Sequence, residues 1–317
     1  MISSKYSNFT QFGIKSEAER FIWSFWLIII FISSLIGDTT ILIASIKYNA
    51  FKLNNLVVVF IQHIAVSDLL VTLFTIFPRI VSLLSNSWVL GPGLCHMTAV
   101  LTVYGVPATS LLMSTLTLCK LALLKCPLRL RTLSRCQAHC VCLSVWVSAL
   151  AAPALYLSVD KDDVSWRYDV YQCYFGHSDH SRWNVLEPLN HGLLGGLPNV
   201  IVVITSILLI RFLVKSRRIS RRSLGEVRWQ GMMTVVAVAG VYTLAVLPLT
   251  IYWIAEMYLK APDNTLKTRF SRTATTLFYF NVAANFFIYV FTIESFREFV
   301  VAVVTSKCFR PTNHPGE

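Results

Sequence analysis

Apolar residues in this chain neither alternate with polar ones nor recur on a single helical stripe; they come in long, nearly unbroken runs. The first, FIWSFWLIIIFISSLIGDTTILIASI, begins at Phe21. A helix needs about 20 consecutive apolar residues to cross a bilayer. Seven runs meet that length, at roughly 21–46, 55–83, 93–125, 138–158, 187–214, 230–258 and 271–293. Their continuity excludes a membrane β-barrel, whose strands alternate between lipid and lumen. The first run is too long for the apolar core of a cleavable signal, so it reads as the first span. Beyond the seventh run lies a short amphipathic segment. The expected fold is therefore an all-α membrane protein: a seven-transmembrane helix bundle with a short amphipathic eighth helix. Its parts are an N-terminal segment 1–20, the bundle 21–293, and a final helix and tail 294–317.

Composition supports this solvent assignment. The chain is 55% hydrophobic and 14% charged, with a mean hydropathy of +0.60, whereas soluble domains carry about 25% charged residues. The formal charge of +12 is explained by where it sits. Seventeen of the 28 Lys and Arg fall in one alternating set of connections and ten in the other, with Arg79 near the end of the second span. Acids do the reverse, ten against four, and Asp38 and Asp68 fall inside spans. Cytoplasmic loops accumulate Lys and Arg, which puts the N-terminus outside and the C-terminus in the cytosol. Charge confined to short membrane-flanking loops speaks against nucleic acid as a partner. The inner loop KSRRISRRSLGEVRW suits an anionic inner leaflet, and its Ser216, Ser220 and Ser223 beside arginines are candidate phosphorylation sites.

On this topology Cys95 and Cys173 are the only cysteines on the oxidising side, where a disulfide is permitted; two separate thiols are the alternative. Cys119, Cys126, Cys136, Cys140 and Cys142 lie on the reducing side. Asn8-Phe9-Thr10 is a glycosylation sequon. Cys308, after the amphipathic segment, is a palmitoylation candidate or an unmodified tail thiol. The loop VDKDDVSWRYDVYQCYFGHSDHSRW alternates around Ser165 to Tyr174 and predicts a hairpin. His177 and His180, flanking Asp179, could ligate a metal but read better as solvated loop residues.

Several local patterns occur in a fixed order: HIAVSDLL with Asp68 in the second run, Trp88 and Gly91 ahead of Cys95, and Cys126-Pro127-Leu128-Arg129 after the third. Trp146 follows in the fourth run, Pro198 in the fifth, Pro248 in the sixth, then NVAANFFIY and ESFREF. In this order they resemble the rhodopsin-like (class A) G-protein-coupled receptors from about residue 21 to 309. The departures are as specific. Cys119-Lys120-Leu121 stands where the family has Asp-Arg-Tyr, Phe286 replaces the proline of the seventh-helix motif, and Val246 the tryptophan two residues before Pro248. Ser206 stands for a tyrosine and Asp38 for an asparagine.

The resemblance implies a plasma-membrane, multi-pass receptor that binds an extracellular ligand and activates a heterotrimeric G protein. It implies switch roles for Lys120, Cys119, Leu121, Pro248 and Tyr289. Lysine keeps the charge of the family's arginine but loses its planar fork, and Cys119 removes the neighbouring acid; the alternative is a lysine that extends to the inner interface. The resemblance also implies a sodium pocket of Asp68, Thr109, Asn281 and Asn285, oxygen-bearing groups of the kind hard cations take. Asp38 adds a second carboxylate, and two close carboxylates cannot both ionise cheaply without a cation between them. A hydrogen-bonded, protonated Asp68 is the other reading. Register gives a ligand lining of Thr102, Val106, Tyr252, Glu256 and Phe278. Thr102 occupies the place where amine receptors keep an aspartate, so a classical amine is excluded, leaving peptides and small molecules. No catalytic arrangement is evident, and sodium is the only cofactor suggested. A non-signalling decoy of the same fold is the main rival reading. A transporter or channel would want internal repeats or polar residues along several helices, and neither is seen.

Overall fold

The computed structural model describes residues 14, 16–46, 51, 55–125, 134–160, 164–167, 170–175, 188–219, 226–259 and 265–305. Seven described helical stretches are long and apolar enough to cross a membrane: Glu17–Ile46, Leu56–Ser85, Gly91–Lys125, Arg135–Ser158, Leu189–Lys215, Trp229–Ala255 and Leu266–Thr292. They match the seven runs one for one.

Helix α1 is Glu17–Ile46. Helix α2 starts as Asn55–Val71, passes through a π-helical turn Thr72–Ile76, and continues as Phe77–Ser85. The wide turn precedes Pro78, which has no N–H and whose ring crowds the carbonyl four residues back. The chain widens there instead of breaking, and Phe77 N–H donates to Thr72 O. Helix α3 is Gly91–Lys125 and contains Pro107. Helix α4 is Arg135–Ala149, continued by Ala151–Asp160. Helix α5 opens with π-helical Pro188–Gly196, just ahead of Pro198, and runs on as Leu197–Ile219. Helix α6 is Glu226–Leu259, α7 is Thr265–Thr292, and α8 is Glu294–Val304. Strands β1 (Val164–Arg167) and β2 (Gln172–Phe175) form an antiparallel hairpin in which Trp166 faces Cys173.

The fourth helix begins three residues before the apolar run does. Its start is a capping box: Gln137 N–H donates to Ser134 Oγ at 3.2 Å, and Ser134 N–H to Gln137 Oε1 at 2.9 Å. Each bond satisfies a donor that the first helical turn leaves unpaired.

Burial is arranged inside out relative to a soluble protein. Phe21, Leu244 and Phe291 expose 65%, 73% and 78% of their surface, while Asp68, Ser82, Thr98 and Ser110 expose none. Hydrocarbon as the outer solvent makes this favourable, since polar groups must find partners within the bundle.

Helix α3 is central, touching α2, α4, α5, α6 and the hairpin, while α1 packs on α2 and α7. The α1–α7 contact is close because of Gly37: a Cβ there would lie 2.7 Å from Phe286 Cβ. Phe286, standing where the family places proline, uses the notch that Gly37 leaves. Helix α8 turns back under the bundle, with Phe296 stacked on Phe51 at 4.7 Å and Phe299 buried.

Candidate functional site

The hairpin covers one end of the bundle. All four β2 residues are buried and pack on α3, to which Cys173 is joined by a disulfide with Cys95. Gly91 starts α3 at φ +81°, a conformation that favours glycine, and its carbonyl accepts from Trp88 Nε1 at 2.7 Å. Tyr171, at the hairpin turn, donates to Asn86 Oδ1 and accepts from Ile14 N–H, both at 3.2 Å. Burial raises its phenol above the ordinary tyrosine range.

Beneath the hairpin runs a directed chain of hydrogen bonds. Tyr279 on α7 donates to Gln172 Oε1 at 3.1 Å, Gln172 Nε2 donates to Thr102 Oγ1 on α3, and Thr102 donates to Thr98 O at 2.7 Å. Arg79 of α2 lies over Tyr279, its Cζ 5.4 Å from the ring centroid. It is 3% exposed, and its Nε and Nη1 have no hydrogen-bond partner. An unpaired buried donor costs about 1–3 kcal/mol, and more when charged.

Deeper, a crevice opens between α3, α5 and α6, lined by Val106, His191, Gly195, Asn199, Val246, Leu249, Thr250 and Trp253. His191 stacks on Trp253 at 3.9 Å and 9°, and Tyr174 of the hairpin stacks on the same indole at 6.2 Å. Asn199 lines the crevice and also reaches below it. Its Nδ2 donates to Thr250 Oγ1 at 3.1 Å, and its Oδ1 accepts from Tyr242 OH. The Tyr242 hydroxyl is also 2.6 Å from Ser110 Oγ. Three helices thus meet at one phenol, one turn of α6 below Val246. Further down, Thr205 of α5 donates to Thr117 of α3 at 2.8 Å.

At mid-bundle two carboxylates come together. Asn285 Nδ2 donates to Asp68 Oδ2 at 2.8 Å, and Ser34 Oγ donates to Asp38 Oδ2 at 2.7 Å. Ser34 is also 2.6 Å from Thr72 Oγ1, whose own donor goes to Asp68 O at 2.8 Å. The Asp38 carboxylate is therefore linked through the α1 and α2 hydroxyls to the backbone carbonyl of Asp68. Their other oxygens, Asp38 Oδ1 and Asp68 Oδ1, are unpartnered, as are Asn285 Oδ1 and Thr109 Oγ1.

Residues 38–289 match the family model described as 7 transmembrane receptor (rhodopsin family). The chain belongs to that family. No curated protein matches this receptor closely enough to count as a relative.

Of the five residues that register assigned to the ligand lining, Val106 faces the receptor's crevice. Thr102 is held in the Gln172 chain, Phe278 is buried against Tyr279 at 5.7 Å, and Tyr252 is half-buried beside Trp253 at 5.4 Å. The side chains of Glu256 and Ser216 fall outside the described residues, as do Asn8, Cys126, Cys308, the loop histidines, Ser220 and Ser223. The crevice residues His191, Asn199, Thr250 and Trp253 were not singled out by sequence; a polar residue within an apolar run, next to Pro198, was the available signal for Asn199.

In the sodium set, Asp68 and Asn285 are in direct contact, while Thr109 and Asn281 are buried on α3 and α7. At the far end of α3 Lys120 is 7% exposed, so it packs inside the bundle and is not spread along the lipid surface. Cys119 and Leu121 beside it are half-buried and pack against the core. Tyr289 is buried edge-on to Phe51 at 5.8 Å, its hydroxyl unpartnered. Pro248 lies within α6, two residues beyond Val246. Trp146 on α4 packs against His63 of α2 at 5.9 Å, and His63 Nε2 is 3.0 Å from His139 Nδ1.

Proposed function

We propose that this receptor sits in the plasma membrane with the hairpin end outside, takes an extracellular ligand into the α3–α5–α6 crevice, and activates a heterotrimeric G protein at the Lys120 end. The observation that carries this reading is the double role of Asn199. It lines the crevice and holds Tyr242, which in turn holds Ser110. A ligand that moves Asn199 or Thr250 disturbs the Tyr242 phenol that joins α3, α5 and α6. Lys120 lies one helical turn beyond Thr117, the next tie between α3 and α5. The path from crevice to cytosolic end therefore runs through interactions internal to the bundle.

Asp68, Asp38, Asn285 and Thr109 fit a sodium ion: all offer oxygen, and four of those oxygens have no protein partner. A bound cation would offset two adjacent negative charges. The chain's own contribution is to hold the Asp68 carboxylate with Asn285 and the Asp38 carboxylate with Ser34.

The test is guanine-nucleotide exchange on purified heterotrimers by the receptor in lipid nanodiscs. Basal exchange above that of empty discs, lost in Lys120→Ala and altered in Tyr242→Phe, is expected. No exchange with any of the G-protein classes would make the chain a non-signalling relative. An epitope inserted between Lys215 and Arg228 should stain only in permeabilised cells; staining of intact cells would reverse the orientation.

A further inference from the structure

Arg79 has no role in the path just described. It lies on the buried face of α2, in a series Asp68, Thr72, Thr75, Arg79 and Ser82, all at most 3% exposed. Thr75 Oγ1 and Ser82 Oγ, about one turn below and above Arg79, are also unpartnered. A second buried arginine at the same end, Arg272, shows the usual arrangement: Glu19 lies 3.7 Å from its Nη1. No acidic side chain among the described residues pairs with Arg79 in that way. Its surroundings are an aromatic face and the Gln172 chain. A guanidinium carries a fixed positive charge inside a protein. Hydrogen bonds from guanidinium N–H groups to a carboxylate are charge-assisted and strong.

We infer that Arg79 is the anion-recognition residue of the ligand site, and that the receptor's ligand is an organic carboxylate with an apolar body. The carboxylate accepts from the free N–H groups of Arg79, with the Ser82 and Thr75 hydroxyls as further donors. Thr102 and Val106 set the orientation of the rest. They lie one turn apart on α3, Thr102 in the Gln172 chain next to the Arg79–Tyr279 pair and Val106 in the crevice. A ligand anchored at Arg79 therefore extends its body along α3 toward Trp253. Gln172 forms the gate between the two regions, since its amide occupies the space between Thr102 and Tyr279.

This inference rests on the hairpin end being the ligand side, and its test separates the two. Straight-chain carboxylates from acetate to decanoate, each against its own primary amide, are added to purified receptor in nanodiscs, and the thermal midpoint is read without any G protein. At least one carboxylate should raise the midpoint more than its amide does. That discrimination should vanish in Arg79→Gln, shrink at least several-fold in Arg79→Lys, and survive in Glu19→Gln, whose partners are Arg269 and Arg272. Arg79→Gln should also leave the ligand-free midpoint level or higher, which shows that the lost response is not lost folding. Equal shifts for acid and amide across the series, or discrimination that persists in Arg79→Gln, overturns the inference. Carboxylate discrimination without nucleotide exchange leaves the anion site standing and removes the signalling reading. Exchange without discrimination does the opposite.

Discussion

Helix α2 carries two buried charge centres, eleven residues or about 16 Å apart at 1.5 Å per residue, and the protein treats them differently. Around Asp68 each carboxylate has a donor, and Ser34 and Thr72 link the Asp38 carboxylate to the Asp68 backbone carbonyl. Around Arg79 the partner is the Tyr279 phenol, to which it is hydrogen-bonded and over whose ring it lies, while its Nε and Nη1 find no acceptor. A carboxylate can take up a proton or hold a cation, so the lower centre can reach neutrality from what the solvent supplies. A guanidinium has no such recourse. The lower centre is thus a stabilised part of the scaffold, while the upper one is a charge kept for an outside partner.

Substitutions should break or sharpen this contrast. The largest effect is expected from opening the Cys95–Cys173 bond with Cys173→Ser. It removes the anchor of the hairpin over Arg79, at about 2–5 kcal/mol, and should be read as a fall in thermal midpoint with loss of the Arg79-dependent carboxylate response. Next is Asn285→Ala, which strips Asp68 of its donor. Leaving a buried acceptor unpaired costs about 1–3 kcal/mol, and the midpoint should fall. Gly37→Ala, which drives a Cβ against Phe286, should cost a similar 1–3 kcal/mol by overpacking. Arg79→Gln is the smallest and the most telling, because its sign is reversed. Removing an unpaired charge should leave ligand-free stability unchanged or raise it by about 1 kcal/mol. A fall as large as that of Asn285→Ala would make the two centres alike. Asp68→Asn sharpens the same contrast: a sodium-over-potassium increment in midpoint is expected in wild type and should be absent in the variant.

The seven spans were legible in the sequence because lipid demands uninterrupted apolarity, and the hairpin because Ser165 to Tyr174 alternates. The start of α4 was legible too, in Ser134 and Gln137, but an apolar-run criterion passes over a capping box. The crevice lining was not legible from register. A helix that is apolar on every side has no face written in its pattern, so Tyr252 and Phe278 could not be distinguished from packing residues. The informative positions were polar residues embedded in apolar runs, such as Asn199, Tyr242 and Arg79, whose cost of burial requires a partner. Register also gave no hint that the departures from the family pattern would be compensated locally. Phe286 needs Gly37, and that pairing spans α1 and α7, almost 250 residues apart.

That pairing has a mechanical consequence. With the Phe286 side chain sitting against the bare backbone at residue 37, α7 cannot slide past or lean away from α1 without leaving a hole the width of a benzene ring. The first and last spans are keyed together like a tenon in a mortise, and any change of shape that the bundle undergoes must carry both of them as one piece.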